Sequence, residues 1–251
     1  MDFLEGLEKI EIQGGYSITT SAQTDLMKVI EQKLLKKQPF RVVTFNPEMM
    51  VYAAENKEFK ESIISADAIT PDGIGIVLLL KKLGLEDVKR QPGIELSWAI
   101  LVKAIELQSS IAIIGSTDEA LTKAIDNITE RIGKPNLVMS RSGFFREDEE
   151  AIIIDKLTEL QPDLLLVAMP FPRQEALLSK LFHKSLKSVG VGVGGSIDVW
   201  SGKIHRAPKF MQLIGLEWLW RLLKQPSRLS RLMKTIVPFM KIYFSTIKKP
   251  A

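Results

Sequence analysis

Asp72 is the carboxylate best placed to act as a general base. It lies in TPDGIG (Thr70–Gly75), a Pro-Asp-Gly turn that closes a short β-rich run. Such an aspartate commonly bonds the backbone of its own turn, and at the ligand edge of a sheet it could also take a proton from a hydroxyl. No second carboxylate is spaced to form the pair that glycoside hydrolases use. Thr44 and Asn46, in TFNPEMM (Thr44–Met50), end another β-rich run. Gly115-Ser116-Thr117 stands between a strand and a helix. It offers either backbone N–H groups to a phosphate or a hydroxyl cap to the helix. PFPRQE (Pro170–Glu175) puts Arg173 and Gln174 at a helix start, where an anion is favoured. Between Val189 and Asp198 stand Gly190, Gly192, Gly194 and Gly195, denser than a turn needs. Glycine there admits a ligand to the backbone or packs a helix closely on a strand.

Other chemistries are excluded by composition. The 251 residues include no cysteine, which removes disulfides, thiol nucleophiles, zinc ribbons and iron–sulfur ligation. His183 and His205 are the only histidines, too few for a multi-histidine metal site. Gly115-Ser116-Thr117 is neither a P-loop nor a GxGxxG fingerprint, and there is no Asp-x-Asp. The residues fit a nucleotide or sugar-phosphate site, metal-free or nearly so, and no cofactor is expected.

These groups need a scaffold that brings loop ends together. Strands are expected at 41–45, 66–70, 111–114, 137–140, 163–168 and 188–193, apolar on both faces, with helices at 47–55, 75–83, 117–132, 148–160 and 173–182 between them. That pattern implies an α/β fold with a Rossmann-like, mostly parallel sheet covered by helices on both faces. Every polar group named above then falls near the carboxyl ends of strands, where open α/β sheets bind ligands.

The formal net charge of +4 conceals a division. Residues 1–198 hold 23 Lys and Arg against 29 Asp and Glu, a balance of −6. Residues 199–251 hold 11 against the single acid Glu217, a balance of +10. The expected organisation is an α/β catalytic domain over 1–198 and a basic, aromatic-rich helical appendage over 199–251. Apolar residues between Met211 and Leu223 predict one amphipathic helix. Pro226 should break it and open a second, with Arg221, Lys224, Arg228 and Arg231 on one stripe if helicity continues. Aromatics flanked by lysines suit an anionic membrane surface, or else a helical hairpin packed on the core. Such a tail could also pack between subunits of a homo-oligomer. Its apolar content argues against nucleic acid as a partner. The start, MDFLEGLEKI, does not read as a secretory signal, and no apolar run approaches the roughly 18 residues of a spanning helix. A cytoplasmic protein, peripheral on the inner face of the membrane, is expected.

Taken together, TFNPEMM, TPDGIG, RQPG (Arg90–Gly93), PRQE, VGVGGSIDVWSGK (Val191–Lys203) and RAPKFMQLIGLEWLWRLLKQPSRLSR (Arg206–Arg231) resemble the WecG/TagA/CpsF glycosyltransferases from about residue 10 to residue 231. The resemblance implies a metal-independent, inverting transfer in wall teichoic acid linkage-unit synthesis. N-acetylmannosamine would pass from its UDP-sugar donor to undecaprenyl-diphosphate-linked N-acetylglucosamine in a β-1,4 bond. It implies Asp72 as general base, with Thr44 and Asn46 positioning substrate, Arg90 on a diphosphate and Gln174 orienting a sugar. Gly115, Ser116, Arg173, Gly194, Gly195 and Asp198 would bind substrate. Arg221, Arg228 and Arg231 would belong to an appendage that closes over the site. Without a metal, arginines would have to stabilise the departing UDP.

Overall fold

The computed structural model describes residues 7–224 and 229–246. In chain order the elements begin with a hairpin, β1 (Lys9–Ile12) and β2 (Tyr16–Thr19), followed by α1 (Gln23–Leu35), β3 (Phe40–Phe45), α2 (Pro47–Glu55), α3 (Lys57–Ile64), β4 (Ala68–Pro71) and α4 (Ile74–Lys82). Next come α5 (Gly93–Glu106), β5 (Ser110–Gly115), α6 (Asp118–Ile132), β6 (Asn136–Arg141), α7 (Glu147–Leu160), β7 (Leu164–Ala168), α8 (Arg173–His183), β8 (Val189–Gly192) and α9 (Ser196–Trp200). The C-terminal part holds α10 (Lys209–Leu213), α11 (Glu217–Lys224) and α12 (Leu229–Ser245).

Six strands form one sheet in the order β4-β3-β8-β7-β5-β6, every pair parallel. Strand side chains alternate between faces, and here both faces are buried except along the edge strand β6, which buries only Met139. Leu164, Leu166 and Ala168 of β7 pack with α1, α5 and α6, whereas Leu165 and Val167 pack with α7 and α8. At the other edge Val43, Phe45 and Ile69 pack beneath α2, α3 and α4. The sheet is therefore the α/β layer that the uninterrupted apolar runs predict.

Three features differ from the pattern expected of the sequence. The β1–β2 hairpin packs beside β4, where the buried Thr19 hydroxyl accepts the Ile69 N–H at 3.2 Å. Helices α1, α3 and α5 complete the two faces. The segment expected as one helix from Met211 to Leu223 is two, α10 and α11. The chain turns at Gly215, whose φ is +74°, and a Cβ there would lie 3.0 Å from Ile74. Gly215 thus lets the turn close against α4. The expected break at Pro226 lies outside the described residues.

The core also runs past residue 198. Helix α9 spans that position, and Trp200 is buried with its ring 5.5 Å from Trp98. Its carbonyl accepts Asn127 Nδ2 at 2.8 Å. Ala207 and Met211 are buried as well. The composition shift at 199 marks a change in surface charge, while packing continues through Trp200. Trp200→Ala should therefore cost about 3–5 kcal/mol of stability, as truncation of a buried aromatic does. Chemical denaturation would measure it, and an unchanged midpoint would remove Trp200 from the core.

Candidate active site

All six parallel strands end on the same edge, and the loops leaving them form the candidate site. It has two halves, one after β5, β7 and β8 and one after β3 and β4.

In the first half, strands β5 and β7 are adjacent, and the chain leaves them in opposite directions across the sheet. That is the switch point where open sheets form a crevice. Gly115 has φ +138°, and a Cβ there would come within 2.1 Å of the Ala168 carbonyl oxygen, so no larger residue fits. Ser116 follows in the left-handed region at φ +52°. Its N–H donates to the Ala168 carbonyl at 2.9 Å, and its own carbonyl accepts Gly143 N–H at 3.0 Å. Its hydroxyl donates to Asp198 Oδ1 at 2.7 Å. Thr117 caps α6 by accepting Ala120 N–H at 3.2 Å, and Asp118 and Glu119 occupy the first turn. The Ser116 N–H is therefore spent within the protein, which corrects the expectation that it is offered to a phosphate. The helix-cap alternative holds for Thr117. The structure does bring Ser116 and Asp198 together across 82 residues of sequence.

The glycines of 190–195 divide in two. A Cβ at Gly190 would meet the Phe182 ring at 2.6 Å, and one at Gly192 would meet Gln174 Nε2 at 2.2 Å. These two serve packing. At Gly194 (φ +49°) and Gly195 a Cβ would have nothing within 4 Å, so this stretch of backbone borders open space.

Helix α8 begins beside that loop. Tyr52, Phe59 and Phe171 meet edge to face with centroids 5.0–5.1 Å apart, anchoring the segment before Arg173. Arg173 is exposed, with its guanidinium 5.1 Å from the Phe145 ring centroid. Gln174 is buried, and its amide is used inside the protein: Nε2 donates to Glu175 Oε1 at 2.7 Å and Oε1 accepts Gly194 N–H at 2.8 Å. Glu175 is 2% exposed. Burial pushes its carboxyl pKa up to about 7, against the opposing pull of Gln174 and Arg41.

In the second half, Thr44 on β3 lies opposite Thr70 on β4 and against Gly93, where a Cβ would sit 3.0 Å from its hydroxyl. Asn46 caps α2, accepting Met49 N–H at 3.1 Å. Asp72 is half-buried, and its N–H donates to the Phe45 carbonyl at 2.8 Å. Gln91 N–H donates to the Pro71 carbonyl at 2.9 Å, which brings the Arg90 segment beside the Asp72 turn. Strand β3 separates β4 from β8, so Asp72 and the open glycine loop stand roughly 10 Å apart at normal strand spacing.

The appendage lies on this second half. Glu217 bonds Arg90 at 2.9 Å and Arg206 at 3.0 Å, and Arg206 reaches Glu95 at 3.0 Å. Arg90 also donates to the Gln212 carbonyl at 2.9 Å. Burial works against the Arg206 charge, and the bonds to Glu95 and Glu217 outweigh it, so its pKa rises. Phe239 of α12 is buried, 3.1 Å from where a Gly75 Cβ would be. The expected diphosphate ligand Arg90 is thus tied to the appendage, and Arg206 and Glu217 are functional candidates that the motifs alone do not single out. The signal for Glu217 is its isolation as the one acid among 11 basic residues. Arg228 lies outside the described residues, as do the side chains of Arg221 and Arg231 on α11 and α12. Among the described residues, no three His, Asp or Glu come together as metal ligands, and no helix is long and apolar enough to cross a membrane.

Two expectations follow. Glu217→Gln leaves Arg90 and Arg206 without their shared counter-charge, at a cost of about 3 kcal/mol. Limited proteolysis should then cut 203–224 faster, and an unchanged cleavage rate would show that the ion cluster does not hold the appendage. For Glu175, a folded-state pKa of about 7 against an ordinary 4.5 means the folded state prefers the proton. Its contribution is fully present below about pH 4.5 and is lost as pH rises through 7. The stability difference between the protein and Glu175→Gln should shift in that direction between pH 5 and 8, and a flat difference would contradict it.

Comparison with known proteins adds two findings. The model of the glycosyl transferase WecG/TagA/CpsF family matches residues 12–250. A protein of Bacillus spizizenii, named N-acetylglucosaminyldiphosphoundecaprenol N-acetyl-beta-D-mannosaminyltransferase, is 33% identical over 192 residues, 76% of this chain and 74% of its own length.

Proposed function

The chain belongs to the WecG/TagA/CpsF glycosyltransferase family and is a hexosyltransferase, and on that premise we propose that it moves N-acetylmannosamine from UDP to undecaprenyl-diphosphate-linked N-acetylglucosamine. One observation carries this reading. The half-buried Asp72 turn and the open Gly194–Gly195 backbone share one sheet edge, a strand apart.

In the proposed step Asp72 takes the proton from the acceptor's 4-hydroxyl. The oxygen attacks the anomeric carbon as the bond from that carbon to the β-phosphate oxygen breaks. The electron pair leaves with UDP, and a single displacement inverts the α-linked donor to a β-1,4 product. The protein's own cations stabilise the leaving charge. Arg173 supplies one at the crevice, and Arg221, Arg228 and Arg231 are proposed to supply others from the appendage. Thr44 supports the Asp72 turn across the β3–β4 pair, and Asn46 holds α2 in place behind it. Donor binding is assigned to Ser116, Asp198 and the open glycine loop.

A lipid-linked acceptor requires the protein to work at a membrane. The appendage suits an anionic surface, because Phe210, Leu213, Ile214, Leu223 and Phe244 are each more than half exposed in its basic chain.

A donor panel of UDP-N-acetylmannosamine, UDP-N-acetylglucosamine and UDP-N-acetylmannosaminuronic acid, assayed on a short-chain lipid-diphosphate-N-acetylglucosamine, tests the assignment. Transfer should come from the first, and preference for the uronic acid would overturn it. Asp72→Asn should keep UDP binding and lose transfer by about 10²–10⁴-fold, the usual worth of a general base. Near-normal turnover in that variant would refute the role.

A further inference from the structure

Glu175 is a buried carboxylate that the step above does not use. It sits at the third position of α8, 2% exposed. Burying a carboxylate is costly, and this one is matched by an equally buried cation. Arg41 of β3 is also 2% exposed. Its guanidinium donates to the Ser62 carbonyl and to Ser65 Oγ, the latter at 2.8 Å, and Asp67 adds a second negative charge beside it. Arg41 and Glu175 act on each other electrostatically, while Glu175 Oε2 and Arg41 Nη1 each make no hydrogen bond among the described residues. An apolar side chain at this position would fill the space without a counter-ion.

The local geometry shows what the carboxylate does. A glutamine amide has a carbonyl that accepts and an NH₂ that donates, and either end can take either place. Ionised, above its pKa of about 7, the Glu175 carboxylate only accepts. With Glu175 Oε1 at 2.7 Å, the NH₂ of Gln174 must face Glu175. That turns the carbonyl of Gln174 onto the Gly194 N–H at 2.8 Å. Reversed, the amide would set NH₂ against N–H, two donors facing each other. The absence of a side chain at Gly192 leaves the room in which the amide lies.

We propose that Glu175 is a positioning residue of the transferase: it fixes the orientation of the Gln174 amide, which in turn holds the Gly194–Gly195 loop where the nucleotide-sugar donor binds. The inference rests on the transferase reading for its substrate, and its structural half stands without it.

The test pairs Glu175→Leu, which removes the acceptor and keeps bulk, with Glu175→Gln, whose carbonyl can still accept. Hydrogen exchange of the Gly194 amide in the unliganded protein requires no turnover. Exchange should quicken about tenfold in Glu175→Leu, the scale of one hydrogen bond, and stay within about threefold in Glu175→Gln. The KM for UDP-N-acetylmannosamine should rise by a similar factor in Glu175→Leu, with the KM for the lipid-linked acceptor unchanged. Combined with Gln174→Ala, neither Glu175 variant should add a further loss, because the carboxylate acts through that amide. Unchanged Gly194 exchange in Glu175→Leu overturns the proposal. So do additive losses in the Glu175→Leu double variant, and Glu175→Ala, alone and combined with Gln174→Ala, carries that test if Glu175→Leu does not fold. If the native protein transfers from no UDP-sugar, the transferase reading fails while the exchange result still judges the amide relay.

Discussion

Burying both faces of a parallel sheet restricts where polar chemistry can happen. Strands β3, β4, β5, β7 and β8 pack against helices and commit their side chains to the core, whereas the edge strand β6 buries only Met139. Backbone groups along the strands are committed to neighbouring strands. Only the carboxyl edge, where six chains leave the sheet together, has side chains and backbone to spare. Asp72, Ser116, Arg173 and Gly194 come from distant parts of the sequence and meet there because the strands that deliver them are parallel. A rearrangement of the sheet order would leave each motif intact and disperse the site.

The appendage is coupled to that edge by charge and shape together. Its one acid is placed between Arg90 of the body and Arg206 of its own chain. A tail of mostly like charge has little else with which to bind a cation on the body, so Glu217 determines where α11 sits. Gly215 and Gly75 then let Ile74 and Phe239 approach at close range. These contacts flank the TPDGIG turn, so Asp72, the proposed general base, and the appendage share a support. An arginine has five N–H donors, and Arg90 spends two on Glu217 and Gln212. Its attachment to the appendage is therefore compatible with a substrate phosphate on the remaining donors.

Much of this architecture is legible in the sequence. Runs such as Leu164–Ala168 are apolar at every position because the strand is covered twice. A strand with one face in water would alternate with polar residues instead. The hairpin leaves a weaker trace, because Lys9–Ile12 and Tyr16–Thr19 are four residues each and the first is largely exposed. Helix α5 is apolar nearly all round, so it lacks the 3.6-residue alternation that marks a helix at a surface. The boundary at 199 comes from charge, a property of the surface. Trp200 groups with the tail by its aromatic character, yet it packs with Trp98 because tertiary contact across a hundred residues is invisible to composition.

Within the site the sequence separates residue types and leaves their partners unstated. A polar pair at a helix start reads the same whether it faces a ligand or the interior. Arg173 is exposed and Gln174 buried, one residue apart, because successive positions on a helix are about 100° apart. The glycines behave likewise. Gly190 and Gly192 belong to the strand, where their missing side chains make room for Phe182 and Gln174. Gly194 and Gly195 lie beyond it, where the same residue type leaves bare backbone. The proposed donor site begins where β8 stops pairing, and Gln174 spans the transition, with its stem packed on Gly192 and its carbonyl on the Gly194 amide. The buried carboxylate of Glu175, once ionised, orients that amide, so a group with no access to solvent helps determine the shape of the surface that a substrate would meet.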